Sequence, residues 1–291
     1  MSDFHVIAKV NVPRHRTATI PFSIKRLSQQ LLDDLSGTSS SYKCSARCNA
    51  QLFITNILDN KLHGQCEAIF IGGSTIKGSS DALSDTDLTL VIKKDNLSNF
   101  IDLFGAENRF QKDFDFPAGN RIDLRVMTLE DVRERIRTFN CFDDYSFANQ
   151  DVLYNLQAGY YLKHCQALEK LLSEINYSIT HAKKIFNDQN AYIKNYNLKK
   201  YLLRCDWFTF YEVLGILYAA TCHILYAING TLFRGYKNIE TYHRELKVFP
   251  VDLFGFFRLC YHSPNSDSVD NLYEELLPFI STIGAALGEK E

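Results

Sequence analysis

Residues Ile69–Ile92 have the sequence IFIGGSTIKGSSDALSDTDLTLVI, in which two apolar runs are separated by a glycine turn and two acids. The first run ends at Gly72, and a glycine pair followed by serine is typical of a turn. The second run begins just after Asp85 and Asp87, which flank a threonine. Short apolar runs bounded by turn residues indicate buried strands, so we predict strand, turn, short helix and strand in that order.

The two acids have the spacing of side chains that share one face of a strand. Residues i and i+2 of a strand point to the same side, so Asp85 and Asp87 are predicted to project together. Two neighbouring carboxylates repel each other unless a cation lies between them, and Mg²⁺ binds oxygen ligands of this kind together with substrate phosphates. The nearby glycine-serine turn offers N–H groups and a hydroxyl to a phosphate. The stretch therefore predicts a metal and phosphate site.

A third carboxylate lies on a later predicted strand, Arg121–Val126, whose apolar and charged residues alternate. Asp123 is on the charged face between two arginines, and two interpretations remain open. The face is either a solvated, salt-bridged surface, or it lies beside the first acidic strand and turns Asp123 toward the same metals. Three carboxylates would hold two cations about 3.5–4 Å apart. Asp113 and Asp115 are competing candidates before the preceding turn.

Composition limits the function classes. The 291 residues are 46% hydrophobic and 23% charged, which is typical of a globular protein of one large or two ordinary domains. A net charge of −2 gives no support for a nucleic-acid surface or an anionic-membrane surface. Cys44 and Cys48 are the only closely spaced pair among eight cysteines, so we expect no zinc site. Mostly unpaired cysteines in apolar runs favour a reducing, cytoplasmic location.

The organisation changes near residue 140. We expect an α/β (α+β) domain over residues 1–140 and an all-α domain over 141–291, with no clear strand after Cys141. Residues 207–228 are apolar enough to span a bilayer, but Glu212 and His223 would be costly there, so we predict a core helix and no membrane contact. Predicted elements are helices at Ser23–Leu35, Ala46–Leu58 and Leu97–Phe104, a hairpin of Phe110–Phe116 with Arg121–Met127, a helix capped by Thr128 and Asp131, and helices at Gln166–Ile175, Ile179–Tyr192, Leu198–Ile228, Val251–Tyr261 and Ser268–Leu287.

The motif resembles the signature of a known superfamily. GSTIKG at residues 73–78, followed after five residues by SDTDL at 84–88, is similar to the DNA polymerase β-like nucleotidyltransferases. That signature has a Gly-Ser pair, a spacer of about ten residues, an acid–x–acid strand and a third acid on a later strand. The resemblance covers residues 66–127. It implies a mixed sheet with flanking helices that binds an NTP such as ATP with two Mg²⁺ ions.

The resemblance also implies residue roles. Gly73 and Ser74 would hold the triphosphate, Asp85 and Asp87 would bind metal, and Asp123 would bind metal and act as general base. Lys77 stands where many members have arginine. It would either contact phosphate or only pack its stem on the sheet. The implied reaction is in-line attack of an acceptor hydroxyl on the α-phosphorus, which releases pyrophosphate.

The compact chain and helical second half are similar to antibiotic nucleotidyltransferases of the aminoglycoside and lincosamide type, which modify a small hydroxylated acceptor. The segment Ile224–Lys237 resembles a pattern in their helical domains, where Tyr236 and Lys237 would close over the triphosphate; the alternative is a solvated loop. The polar segment Asp143–Asp151 would receive a cationic acceptor or would only cap a helix. Two other functions remain open: a toxin-like nucleotidyltransferase acting on protein or tRNA, and a catalytically silent nucleotide-binding regulator. The oligomeric state also remains open.

Overall fold

The structure is a computed structural model of the whole chain. It describes residues 46–47, 49–51, 53–54, 58, 63–77, 84–104, 112–116, 120–236 and 246–288. The predicted helix at Ser23–Leu35 and the candidate residue Lys237 lie outside the described residues. The described residues of the predicted helix at Ala46–Leu58 are helical.

Within the described residues, five strands form one mixed sheet. They are β1 (Cys66–Ile71), β2 (Thr86–Ile92), β3 (Lys112–Phe116), β4 (Asn120–Thr128) and β5 (Tyr160–Lys163). The strand order is β3-β4-β2-β1-β5. β2 and β4 pair in parallel, and the other neighbours pair antiparallel. The predicted hairpin of β3 and β4 is confirmed.

Helices occupy most of the remaining described chain. In order they are α1 (Gly73–Ile76), α2 (Leu97–Phe104), α3 (Leu129–Asn140), α4 (Phe147–Ala158), α5 (Gln166–Leu172), α6 (Ile179–Asn195), α7 (Leu198–Leu203), α8 (Trp207–Ile228), α9 (Val251–His262) and α10 (Ser266–Leu287). The predicted cap of α3 is present, because Thr128 Oγ1 accepts from the Asp131 N–H at 3.1 Å and Asp131 Oδ2 accepts from the Thr128 N–H at 2.8 Å. The architecture predicted from the sequence, a mixed sheet with flanking helices followed by helices alone, is confirmed.

The chain packs as two compact units that divide between Asn176 and Tyr177. The sheet unit holds β1–β5 and α1–α5, and the helical unit holds α6–α10. The division falls later than the boundary predicted at residue 140, and the expectation that no strand follows Cys141 is wrong. β5 pairs antiparallel with β1 at the sheet edge. A four-residue edge strand whose residues are all partly exposed has too short a pattern to be recognised in sequence.

The two faces of the sheet differ in chemistry. On one face, apolar side chains of β1, β2 and β4 form the core together with described residues before β1. This set includes Ile69, Ile71, Leu88, Leu90, Ile92, Ile122, Leu124 and Val126. Strand alternation turns Asp87 and Asp123 to the opposite face. On that face Gly159, just after α4, lies so close to Phe70 that an added Cβ would be 2.4 Å from its ring.

The helical unit is built around α8. This helix is long and apolar enough to cross a membrane, but 67% of its apolar window is buried within the protein, as predicted for a core helix. The single helix predicted over residues 198–228 is interrupted after α7. Cys205 has a left-handed φ of 52°, and the Asp206 side chain then caps α8 by accepting from the Thr209 N–H at 3.2 Å. The cap begins a new helix where apolar periodicity alone indicated a continuous one.

A buried histidine lies on α8. His223 Nδ1 is 3.3 Å from Gln189 Oε1, and its Nε2 is hydrogen-bonded to the hydroxyl of Tyr236. The ring also packs edge-on against Phe233 at 4.9 Å between centroids. A neutral imidazole with its proton on Nδ1 satisfies both polar partners. Burial lowers the pKa of His223 to about 3, because the charged form is poorly solvated there.

We therefore expect His223 to make stability depend on acid pH. The unfolded imidazole titrates near its ordinary pKa of about 6.5, so the contribution of neutral His223 is complete above that pH and is lost as pH falls toward about 3. In this window the unfolding free energy should fall by about 1.4 kcal/mol per pH unit. The His223→Gln variant should lack this component in urea unfolding measured between pH 7 and 5. The exposed His262→Gln control should keep the wild-type slope, and an unchanged slope in His223→Gln would contradict the prediction.

Candidate active site

Two of the predicted acids are direct neighbours across the sheet. Asp87 on β2 and Asp123 on β4 are partners in the parallel register, and paired residues of adjacent strands point to the same face. Of the two interpretations of Asp123, the structure confirms that its strand lies beside the first acidic strand. Metal binding by Asp123 remains a prediction. The competing Asp113 lies one strand further out, opposite Asp123 in the register of β3 and β4.

The glycine turn is packed directly against Asp87. The Gly72 N–H donates to the Asp87 carbonyl oxygen at 2.8 Å, which ties the end of β1 to the start of β2. Gly73 has a left-handed φ of 58°, and a Cβ added there would lie 1.6 Å from Asp87 Oδ2. Glycine is therefore required at residue 73 for its backbone conformation and for the space that the carboxylate fills.

Charges of both signs surround the Asp87 carboxylate. Burial raises the pKa of Asp87 to about 6, and the neighbouring carboxylates of Asp85 and Asp123 add to this shift, while Lys77 and Arg125 oppose it. A half-buried carboxylate beside two others is unfavourable without a counter-charge. Among the described residues, no three His, Cys, Asp or Glu side chains stand close enough together to form a ready metal site. Asp85 and Asp123 are nevertheless near enough to Asp87 for their charges to raise its pKa.

The turn also carries hydroxyls without hydrogen-bond partners. Ser74 is 6% exposed and Thr75 is 7% exposed, and neither hydroxyl oxygen has a hydrogen-bond partner within the part of the chain that the structure describes. A buried hydroxyl without a partner costs free energy, and a water, an ion or a bound ligand group would satisfy it. Ser74 is the residue that the sequence motif assigned to the triphosphate.

Lys77 forms an ion pair on the same face. Its ammonium nitrogen is 2.7 Å from Asp151 Oδ1 on α4, and only 10% of its side chain is exposed. The Lys77 ammonium group is therefore paired with a carboxylate. The sequence had left two alternatives open for Lys77, a contact with phosphate or packing of its stem on the sheet. Lys77 lowers the pKa of Asp87, so its charge also reaches the acids.

Sequence reasoning missed Asn155, which contacts the turn from α4. The Gly73 N–H donates to Asn155 Oδ1 at 2.7 Å, and Asn155 Nδ2 donates to the Asp151 carbonyl oxygen at 2.7 Å. No helix was predicted over residues 147–158, because the segment lacks a clear apolar stripe. The four-residue spacing of Asp151 and Asn155 would have indicated a shared helix face had the helix been recognised.

The other candidate segments have local partners in the structure. Ser146 caps α4 by accepting from the Asn149 N–H at 3.3 Å, which agrees with the helix-cap interpretation of Asp143–Asp151. Asp143 pairs with Arg137 at 3.1 Å on exposed surface. The Tyr236 hydroxyl is hydrogen-bonded to His223 in the helical unit.

Comparisons with known proteins add little to this geometry. No model of a known protein family matches the chain, and no curated protein matches it. A crystal structure of a nucleotidyltransferase-like protein from Exiguobacterium sibiricum superposes with a TM-score of 0.43 at 11% identity, covering 82% of this chain and 78% of that one.

By residue type, the acids and the glycine-serine turn are those that would bind a divalent cation and a phosphate, although the described acids do not form a ready cluster of three. Asp87 and Asp123 lie side by side on one sheet face, and Asp85 directly precedes β2. Carboxylate oxygens are the ligands that Mg²⁺ prefers, and a cation would relieve the repulsion that helps to raise the pKa of Asp87. The unpartnered Ser74 hydroxyl is a donor that a phosphate oxygen would accept from. These groups lie within the sheet unit.

We predict that Gly73→Ala destabilises the protein by about 2–4 kcal/mol, because the left-handed backbone is strained with a Cβ and Asp87 must move. The urea-unfolding midpoint would report the loss. Gly215→Ala is the matched control: this glycine is exposed on α8 with nothing within 4 Å of an added Cβ, so alanine should stabilise by about 1 kcal/mol. Equal effects of the two variants would contradict the packing of Asp87 on Gly73.

Proposed function

We propose that this protein is a metal-dependent nucleotidyltransferase that transfers AMP from ATP to a hydroxyl of a small-molecule acceptor. The observation that carries the proposal is the pairing of Asp87 with Asp123 on parallel strands, with the Gly73-Ser74 turn packed against Asp87. A simple salt-bridged surface would not bury a carboxylate beside two like charges. The arrangement supports a site for a cation and a phosphate chain.

In the proposed reaction the acceptor hydroxyl oxygen attacks the α-phosphorus of ATP in line with the leaving group. A new P–O bond forms to the acceptor, the bond to the β-phosphate oxygen breaks, and pyrophosphate leaves with its electron pair. Asp123 takes the hydroxyl proton. Mg²⁺ held by Asp85, Asp87 and Asp123 would neutralise the phosphate charge and activate the attacking oxygen.

The turn supplies the remaining contacts. Ser74 would donate its hydroxyl to a phosphate oxygen, which would satisfy a buried polar group that has no partner among the described residues. Lys77, paired with Asp151, would contribute positive potential near the acids without leaving its partner. Gly73 would allow both Asp87 and the phosphates to approach the backbone closely.

The acceptor is proposed from overall chemistry. A net charge of −2 disfavours tRNA, which binds through basic surface, and the compact sequence with a helical second half is similar to antibiotic nucleotidyltransferases. A hydroxylated, cationic small molecule of the aminoglycoside type is therefore the proposed acceptor class, and modification of it would give antibiotic resistance. A protein acceptor and a silent regulator are alternative outcomes of the experiments.

We expect Asp87→Asn and Asp123→Asn each to lower Mg²⁺-dependent pyrophosphate release by at least about a thousandfold, because each removes a proposed metal ligand and Asp123→Asn also removes the base. A coupled pyrophosphate assay with saturating ATP and acceptor measures the rates. Asp95→Asn, at an exposed residue on the same unit, should keep the wild-type rate. Full activity in both site variants would eliminate the proposed chemistry.

The acceptor class can be read from label transfer. We expect [α-³²P]ATP with MgCl₂ to label an aminoglycoside but not bulk tRNA or lysate protein, and EDTA to abolish the transfer. Label on protein would instead support the toxin-like activity. Magnesium-dependent ATP binding without transfer to any acceptor would support a silent regulator.

A further inference from the structure

The nucleotide site proposed above depends on a turn that a helix outside the motif holds in place. Asn155 lies on α4, 82 residues from Gly73, and only 8% of the residue is exposed. Its Oδ1 accepts from the Gly73 N–H at 2.7 Å, and its Nδ2 donates to the Asp151 carbonyl oxygen at 2.7 Å. Only one orientation of the amide satisfies a donor on one side and an acceptor on the other.

Asn155 also fills the space beside Gly72. A Cβ added at Gly72 would lie 3.0 Å from Asn155 Oδ1, and the three nearest heavy atoms all belong to Asn155. Gly72 has a negative φ of −116°, so an alanine there is hindered by Asn155 and not by its own backbone. The asparagine amide therefore contacts both glycines of the turn.

The same turn carries the Ser74 hydroxyl on one side and packs against Asp87 on the other. A left-handed Gly73 is one of several conformations open to glycine, and a 2.7 Å bond to its N–H selects that conformation. Loss of the bond would leave the position of Ser74 relative to Asp87 less defined. Small errors of position at a phosphate-binding turn weaken binding strongly.

We propose that Asn155 is a positioning residue of the nucleotide site: it holds the Gly72-Gly73 turn so that Ser74 and Asp87 meet the triphosphate together. This inference rests on the proposed function for its ligand. The effect of Asn155 on the conformation of the turn can be measured without nucleotide.

The first measurement is hydrogen–deuterium exchange of the turn without nucleotide. In the wild type the Gly73 amide should be protected by its bond to Asn155, and in Asn155→Ala peptides covering residues 72–77 should exchange at least about tenfold faster. Asn155→Asp keeps an acceptor for Gly73 and should restore protection. Unchanged exchange in Asn155→Ala would overturn the inference.

The second measurement is ATP affinity and kinetics. Asn155→Ala should raise the Kd for MgATP and the KM for ATP about tenfold, with kcat changed less than about threefold, because the sheet holds Asp87 and Asp123 independently. Asn155→Asp should regain turn protection but not affinity, since its added charge repels phosphate. A kcat loss as large as the KM increase would count against positioning.

Asn229 supplies a matched control. In the helical unit, its Nδ2 donates to the Leu225 carbonyl oxygen at 2.8 Å and its Oδ1 accepts from the Val248 N–H at 2.9 Å, as the amide of Asn155 does with its own partners. Asn229 Nδ2 also donates to the Val248 carbonyl oxygen at 3.0 Å. Asn229→Ala should lower the melting temperature without changing turn exchange or KM for ATP. An equal KM increase in Asn229→Ala would show that general destabilisation explains the effect, which overturns the inference.

A double-mutant cycle tests the contact between Gly72 and Asn155. Gly72→Ala should by itself raise the KM for ATP, because its Cβ displaces the amide, whereas adding it to Asn155→Ala should change little since the space is then free. Additive effects would overturn the inference. If wild-type protein binds no nucleotide while turn exchange responds as expected, the proposed function fails and the role of Asn155 in holding the turn stands.

Discussion

The parallel, in-register pairing of β2 with β4 is the interaction on which the candidate site depends. It places Asp87 beside Asp123 on one sheet face. The antiparallel pairing of β1 with β2 matches Ile71 with Leu88, so the chain leaving β1 meets the start of β2 at once. Gly72 then bonds to Asp87, and the glycine turn and the acids are joined through the backbone of two neighbouring strands. The site therefore lies where β1, β2 and β4 are joined by backbone hydrogen bonds.

The electrostatics of this face oppose the folded state. Burial and two like charges raise the pKa of Asp87, and the nearby positive charges of Lys77 and Arg125 only partly offset them. Lys77 is in turn held by Asp151, a pair whose own desolvation reduces its net contribution to stability. A face that carries uncompensated repulsion and a partnerless Ser74 hydroxyl has polar groups that a bound cation and phosphate would satisfy. This is the physical reason for which we propose the nucleotide site on this face.

Local sequence patterns predicted the elements whose signals are complete within a few residues. The alternation in β4, the hairpin of β3 with β4, the cap of α3 and the short helix after Gly72 are all confirmed, because each depends on periodicity or turn chemistry inside the segment. α4 and β5 were missed. α4 is mixed polar and apolar around its circumference with buried Asn149 and Asn155, and β5 is an edge strand of four residues, so neither has a periodic apolar signal.

The sequence by itself determined the acids, the glycine turn and their order, because strand alternation and glycine's freedom at positive φ are properties of a short segment. It left open whether Asp123 faced the same site or solvent. Only the tertiary structure decided that β4 lies parallel beside β2, that Lys77 pairs with Asp151, and that Asn155 holds Gly73. These contacts join residues 36 to 82 positions apart, and pairing at such separations depends on how the whole sheet unit packs, which no local pattern encodes.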